Sequence, residues 1–493
     1  MKRRRFLAAA GLAGLGTGCG QASSGVSAPR KPLWIPPMLR PRRDVDGVRR
    51  FQLNLRPGRT EFLPGKRAAT WGVNGPHLGP TLRASRGDRV EMRVINGLPE
   101  STTLHWHGVR VPAEADGGPH QIIGPYGMWV PEWTIDQPAA SAWYHPHPHG
   151  RTELHIYRGI AGMFLIDAPD APDALPRAYG VDDIPLIIQD RTFRADGSLD
   201  EAALYQDRFG FEGQTVLVNG TYRPLLRVGA ARVRFRLLNA SSARVYQVGF
   251  TDGRRFHLIA TDVGLLAAPL EVDRVQLSPG ERAEVLVDFA AGDRVTLNSL
   301  GEQPKNTAGD GKADGKDDLD LLAIAAAGRL TRAGRMPSRL SADPMIEPPP
   351  GARVRTFVLG HHDINGKIMD MGRIDEVVPA GSTEIWEIRN ESFAHNFHIH
   401  GVAFSVLDVN GAPPPGHLRG LKDTVLVPRA GTVRVAVTFS EWSDPVRPYM
   451  FHCHFLRHED LGMMGQFVVV EAGTEDRVPT RLPGIPAHHR RRH

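Results

Sequence analysis

Residues 449–459 read YMFHCHFLRHE and set one of the chain's two cysteines between two histidines. Successive side chains of a strand leave opposite faces. If Phe451 to Phe455 is extended, His452 and His454 therefore point one way and Cys453 the other. One short segment would then serve two sites, an imidazole site in front and a thiol site behind.

The same i, i+2 spacing recurs at His105/His107 in HWHG, His145/His147 in YHPHPHG and His398/His400 in HNFHIHG. Random placement of 21 histidines among 493 residues gives roughly one such pair, so four need a cause. A single pair would read as exposed or core histidines, but four pairs bring eight nitrogen ligands together, enough for several metal ions. Two pairs lie near the start and two near the end. The first and last domains are thus expected to meet with the cluster between them.

The site behind the strand can be filled in from spacing. His395 stands three residues before His398, an odd offset that turns it away from the pair, and His458 and Met463 follow Cys453 at five and ten residues. Two histidines, a thiolate and a weak thioether describe a trigonal blue-copper site for electron transfer. Zinc competes for cysteine and histidine, but structural zinc sites need four strong ligands and rarely use methionine. A reactive thiol alone leaves the eight histidines unexplained, so copper is the reading.

Short alternating runs, RVEMRVING at 89–97, ARVRFRLLNA at 231–240 and TVRVAVTF at 432–439, recur between proline- and glycine-rich turns. They predict an all-β chain of antiparallel sandwiches, and no stretch sustains a helical period. Proline-rich segments at 167–176 and 339–351 divide the chain into domains at 45–168, 169–340 and 345–475. A strand-turn-strand pattern echoes three times, at 73–96, 218–239 and 364–390, which favours three related domains. Residues 302–318 are charged and low in complexity and read as a flexible loop.

The net charge of +6 owes much to Arg3, Arg4, Arg5 and the HHRRRH of the basic tail at 476–493. No basic stripe with interleaved aromatics lies between, so no nucleic-acid partner is expected. Residues 1–30 begin with a charged, then a short apolar stretch, a secretory signal rather than a membrane span, and Arg3, Arg4, Phe6 and Leu7 are similar to a twin-arginine signal. Cys19 stands where a lipoprotein cysteine would, although Leu15 lies one place too far upstream; a lipid anchor and a plain cleaved signal both stay open. Export to the periplasm, the cell surface or the medium is expected. With Cys19 in the signal, Cys453 is the one cysteine of the mature chain, which rules out disulfide staples.

From GPTLRASRGDRVEMRVINGLPESTTLHWHG to HCHFLRHEDLGMMGQF the chain resembles the multicopper oxidases, the family of laccases, bilirubin oxidase and bacterial copper-efflux oxidases. The resemblance implies three cupredoxin-like Greek-key β-sandwich domains and four coppers per chain, one type 1, one type 2 and two type 3. Carried over residue by residue, it implies His395, Cys453, His458 and Met463 as type 1 ligands and His105 and His398 as type 2 ligands. His107, His145, His147, His400, His452 and His454 would be the type 3 ligands. His149 is surplus and would support a neighbouring ligand or shape its turn. A small reductant would give single electrons to the type 1 copper, and Cys453 would pass them to His452 and His454, so that four electrons reduce dioxygen to water. Asp116 and Glu459 match acids that supply the protons.

The electron donor is less constrained. INGKIMDM at 364–371 and GLKDTV at 420–425 resemble the copper-efflux oxidases, which implies Asp370 and Asp423 as acids for cuprous ions, with a turn or a buried hydrogen bond the alternative role for Asp423. The methionine-rich insertion of those enzymes is missing here, which would leave the type 1 site more open to phenols or aromatic amines; a laccase-like oxidase of phenols, aromatic amines or cuprous ions is expected, and a monomer. Two alternatives remain: a cuprous oxidase with little phenol activity, and a non-enzymatic envelope protein, since a family relative in bacterial division keeps the fold without the ligands.

Overall fold

The computed structural model describes residues 30–43, 46–301, 318–342 and 345–484. The three sequence echoes fold alike. Asn74, Asn219 and Asn365 sit at φ 57°, 50° and 55°, a left-handed conformation that asparagine tolerates. The side-chain carbonyls of these three accept, each at 2.7 Å, the amides of Asn54, Ile187 and Val358. The asparagine that closes each echo also repeats its role. Asn96, Asn239 and Asn390 accept at 3.0 Å from the amides of Leu98, Ser241 and Ser392 and donate to the carbonyls of Ile123, Leu277 and Val427. Each echo ends in a strand that lies parallel to an earlier one: Arg89–Asn96 on Arg49–Thr60, Arg232–Asn239 on Asp183–Arg191, and Thr383–Asn390 on Val354–Leu359.

Each third of the chain builds two sheets with apolar side chains buried between them. Phe51, Val94, Trp106 and Phe164 share the first core, Val233, Leu237, Val248 and Leu322 the second, and Trp386, Val435, Phe451 and Phe467 the third. The strand orders within the sheets are non-sequential, as Greek-key sandwiches require. Among the described residues helix is confined to short pieces such as Thr152–Arg158 and Leu456–Asp460. The Asp460 carboxylate accepts the amides of Thr152 and Glu153 at 2.9 and 3.1 Å, so an acid from the third sandwich caps a helix of the first.

Two segments depart from the sequence reading. Lys31–Pro32 pairs with Pro224–Ala230, so the chain touches the second sandwich before entering the first. The residues after 475, read as a tail, pack on the third sandwich, where Leu482 is buried with Ile374, Val468 and Val470. The expected signal at 1–29 with Cys19, the loop at 302–317 and the basic end of the tail lie outside the described residues. Among the described residues no helix is long and apolar enough to cross a membrane.

Candidate metal centre

Strand register gathers the histidines. His105 pairs with His145 across neighbouring strands of the first sandwich, and His398 pairs with His452 in the third. The two sandwiches then press these strands together. The ring of His105 stacks on His400 and that of His107 on His398, both at 3.8 Å between centroids. His147 Nε2 lies 3.1 Å from His452 Nε2, which is 3.2 Å from His400 Nε2, and His107 Nδ1 lies 3.4 Å from His145 Nε2. His454 closes the group, its ring 4.9 Å from His107 and 5.2 Å from His145. His149 is exposed.

The hydrogen bonds fix which nitrogens are bare. A carbonyl oxygen can only accept, so a ring nitrogen facing one carries the proton and the other nitrogen keeps its lone pair. Nδ1 of His105, His145, His398 and His452 faces the carbonyls of Asp116, Pro146, Asp423 and Cys453 at 2.8, 2.8, 2.9 and 3.1 Å. Their Nε2 atoms point inward as lone pairs. Those of His105 and His398 have no hydrogen-bond partner, and neither ring nitrogen of His454 has one. Burial pushes His105 down to about 3 and holds His107, His145, His147, His400, His452 and His454 well below the ordinary histidine range, so the rings are neutral. Neutral lone pairs converging in a buried space fit cations.

The site behind the strand repeats this logic. The strand Asp444–His452 ends at His452, yet the alternation continues, and Cys453 turns to the opposite side. Its Sγ lies 3.5 Å from Nδ1 of both His395 and His458, whose Nδ1 atoms are 3.1 Å apart. Nε2 of His395 donates to Gly360 O at 2.9 Å and Nε2 of His458 to Phe209 O at 3.1 Å, leaving two lone pairs and a thiol face to face. Burial pushes the Cys453 thiol up to about 12, so a bound cation is what would hold it as thiolate at neutral pH. Met463 is fully buried beside this trio, its amide on His458 O and its carbonyl on the Cys453 amide.

The two acids expected to supply protons both reach the histidines. Asp116 Oδ2 is 2.9 Å from His400 Nδ1, and the Glu459 oxygens lie 3.4 Å from Nδ1 of His147 and of His452. Both are buried, and that burial raises them well above the carboxylate range.

The two acids expected at the electron donor behave differently. Asp423 is corrected: it is buried among the histidines, accepts from Arg282 at 2.8 and 2.6 Å and sits 3.1 Å from His107 Nε2, so it offers no surface to a substrate. Asp370 lies on the rim of the cysteine site, where Met369 N bonds to Gly462 O. Its carboxylate is already engaged by Arg481 at 2.8 and 3.1 Å rather than standing open.

Sequence reading missed Arg282 and Asn396. Asn396 accepts the His454 amide at 2.6 Å and anchors to Pro279 O at 2.7 Å on the second sandwich. Nothing in local spacing marks either residue, because both act across domain boundaries.

Comparison with known proteins agrees with this geometry. Family models described as multicopper oxidase match residues 54–171, 185–304 and 345–473. A laccase structure from Pediococcus acidilactici superposes with a TM-score of 0.82 at 34% identity, covering 90% of this chain and 95% of that one. A laccase-like multicopper oxidase, CueO, from Ochrobactrum sp. gives 0.81 at 39% identity, covering 89% and 100%. Among curated relatives, the cell division protein FtsP of Yersinia pestis is 39% identical over 96% of this chain and 99% of its own. The multicopper oxidase mco of Staphylococcus epidermidis is 34% identical over 88% and 92%.

The chain belongs to the multicopper oxidase family. Its three sandwiches are cupredoxin-like, its cofactor is copper, and its activity is the oxidation of a reductant by single electrons coupled to the reduction of dioxygen to water.

Proposed function

We propose that His395, Cys453, His458 and Met463 hold the type 1 copper and that His105 and His398 hold the type 2 copper. His107, His145 and His454 would take one type 3 copper, and His147, His400 and His452 the other. The observation that carries this assignment is the convergence of bare lone pairs, those of His105, His145, His398, His452, His395 and His458 each fixed by a carbonyl on the far side of its ring. Copper so bound supplies one-electron exchange at the cysteine site and multi-electron reduction of dioxygen at the histidine cluster.

The residues themselves set the rest. Cys453 lies between His452 and His454, so the backbone of three consecutive residues is the covalent link between the two sites. Asp116 orients His400, and burial favours the protonated form of its carboxyl and of Glu459's beside the cluster, where protons are taken up during oxygen reduction.

For the donor, the rim of the cysteine site favours a laccase-like oxidase. Ile368 and Leu461 are exposed there, and Phe393 packs on His395 and His458 at 4.7 and 5.2 Å. This apolar edge suits a phenol or an aromatic amine. One observation favours cuprous ions as a second donor: Met369, Met371, Met450 and Met464 pack together next to Asp370, and thioethers are soft ligands. Turnover of a phenol and of Cu(I) by the copper-loaded protein, with and without Asp370→Ala, separates the two. No effect of the substitution on Cu(I) turnover removes Asp370 from the proposal.

The envelope-protein reading draws on the FtsP relatives alone, whereas the full ligand set favours an enzyme. Dioxygen consumption abolished by Cys453→Ser excludes the former. The N-terminal sequence supports export, with acylation of Cys19 to be read from the mass of the mature N-terminus.

A further inference from the structure

The second sandwich gives no ligand in this assignment, yet its Arg282 side chain reaches the acid beside the cluster. We propose that Arg282 is the positioning residue of the histidine cluster: its buried guanidinium fixes the Asp423 carboxylate, which sets the nitrogen that His107 turns to the metals. The inference rests on the copper assignment above.

All five N–H groups of Arg282 are used. Nε donates to Ser141 O at 3.0 Å, on the strand that ends in His145. Nη1 donates to Gly280 O at 2.9 Å and Asp423 Oδ1 at 2.8 Å, and Nη2 to Asp262 O at 3.0 Å and Asp423 Oδ2 at 2.6 Å. One planar fork thus ties a strand of the first sandwich, a turn of the second and an acid of the third.

The held acid has a specific effect. His105, His145, His398 and His452 all face an oxygen with Nδ1 and turn Nε2 inward. His107 is reversed. Its Nε2 meets Asp423 Oδ1 at 3.1 Å and Thr424 Oγ1 at 3.3 Å, leaving Nδ1 to face His145. The Asp423 carbonyl meanwhile takes the N–H of His398 at 2.9 Å. A shift of Asp423 would therefore disturb a type 3 and the type 2 ligand together.

The surroundings are shaped to the guanidinium. Gly108, next to His107, has φ +81°, and a Cβ there would lie 2.2 Å from Arg282 Nη2. Gly280, whose carbonyl Arg282 holds, lies under the His454 ring, where a Cβ would come within 3.1 Å.

The test uses copper-loaded protein, with copper per chain, the electron paramagnetic resonance of both mononuclear coppers and resistance to a chelator as readouts. Arg282→Lys keeps the charge but not the fork. It is expected to keep the blue cysteine site while the cluster releases copper at about 10–100-fold lower chelator concentration, with an altered type 2 signal. Asp423→Asn is expected to do the same, and the double variant to be no worse than either single one; it also carries the test if Arg282→Lys does not fold. Arg355→Met, a buried arginine paired with Glu384 and Glu376, should lower thermal stability without changing the copper signals.

An Arg282→Lys protein with wild-type chelator resistance and type 2 signal overturns the inference. So does equal loss at both copper sites, or an Arg355→Met protein that changes the copper signals as much. Wild-type protein that takes up no cluster copper defeats the proposed function instead.

Discussion

Cys453 and His452 are adjacent residues that serve different sites. The Cys453 sulfur lies 3.5 Å from Nδ1 of His395 and of His458, while His452 Nε2 lies 3.1 Å from His147 and 3.2 Å from His400. A single peptide unit therefore separates the thiol of the cysteine site from an imidazole of the histidine cluster, the two places proposed for the electron donor's copper and for oxygen. The chain needs no relay of side chains between them, and breaking the link at the sulfur should split the two half-reactions.

Cys453→Ser tests that separation. The variant should lose the blue absorption and all oxidation of phenols, yet keep the copper held by His105, His398 and the type 3 histidines. Metal analysis with an absorption spectrum reads both. A serine variant that still turns over a phenol would place the entry of electrons elsewhere.

The buried acids should act on oxygen rather than on the donor. Asp116→Asn and Glu459→Gln remove a titratable carboxyl beside the cluster, and each should slow reoxidation of the reduced enzyme by roughly 10²-fold or more. Anaerobic reduction of the cysteine site by the donor should keep its wild-type rate. Stopped-flow measurement of the two half-reactions distinguishes them.

A stability effect of pH is expected from Glu153, away from the ligands. Burial, then the charge of Asp460, raises its carboxyl from 4.5 to about 8 in the folded protein. Between these values the folded chain holds a proton that the unfolded chain has lost. Stability from this group is thus complete below about 4.5 and declines up to about 8, by at most ~1.4 kcal/mol per pH unit. Glu153→Gln should flatten that decline and be more stable than wild type near pH 8, as denaturant midpoints across pH would show.

Much of the site was legible because its ligands come in local pairs. Strand alternation put His452 and His454 on one face and Cys453 on the other, and the odd offset of His395 placed it correctly beside the thiol. The three asparagine-closed echoes likewise announced three similar sandwiches. What stayed hidden depends on contacts between domains. Asp423 reads locally as an acid in a turn, and only Arg282, 141 residues away, shows that it belongs to the histidines. Asp370 reads as an open acid until Arg481, from a segment read as a tail, is seen to hold it.

The most direct test of the account is copper content with an absorption spectrum on the purified, copper-loaded protein. Four coppers per chain and an intense blue colour that Cys453→Ser abolishes are the predicted result. A colourless protein that is nonetheless replete with copper would contradict it.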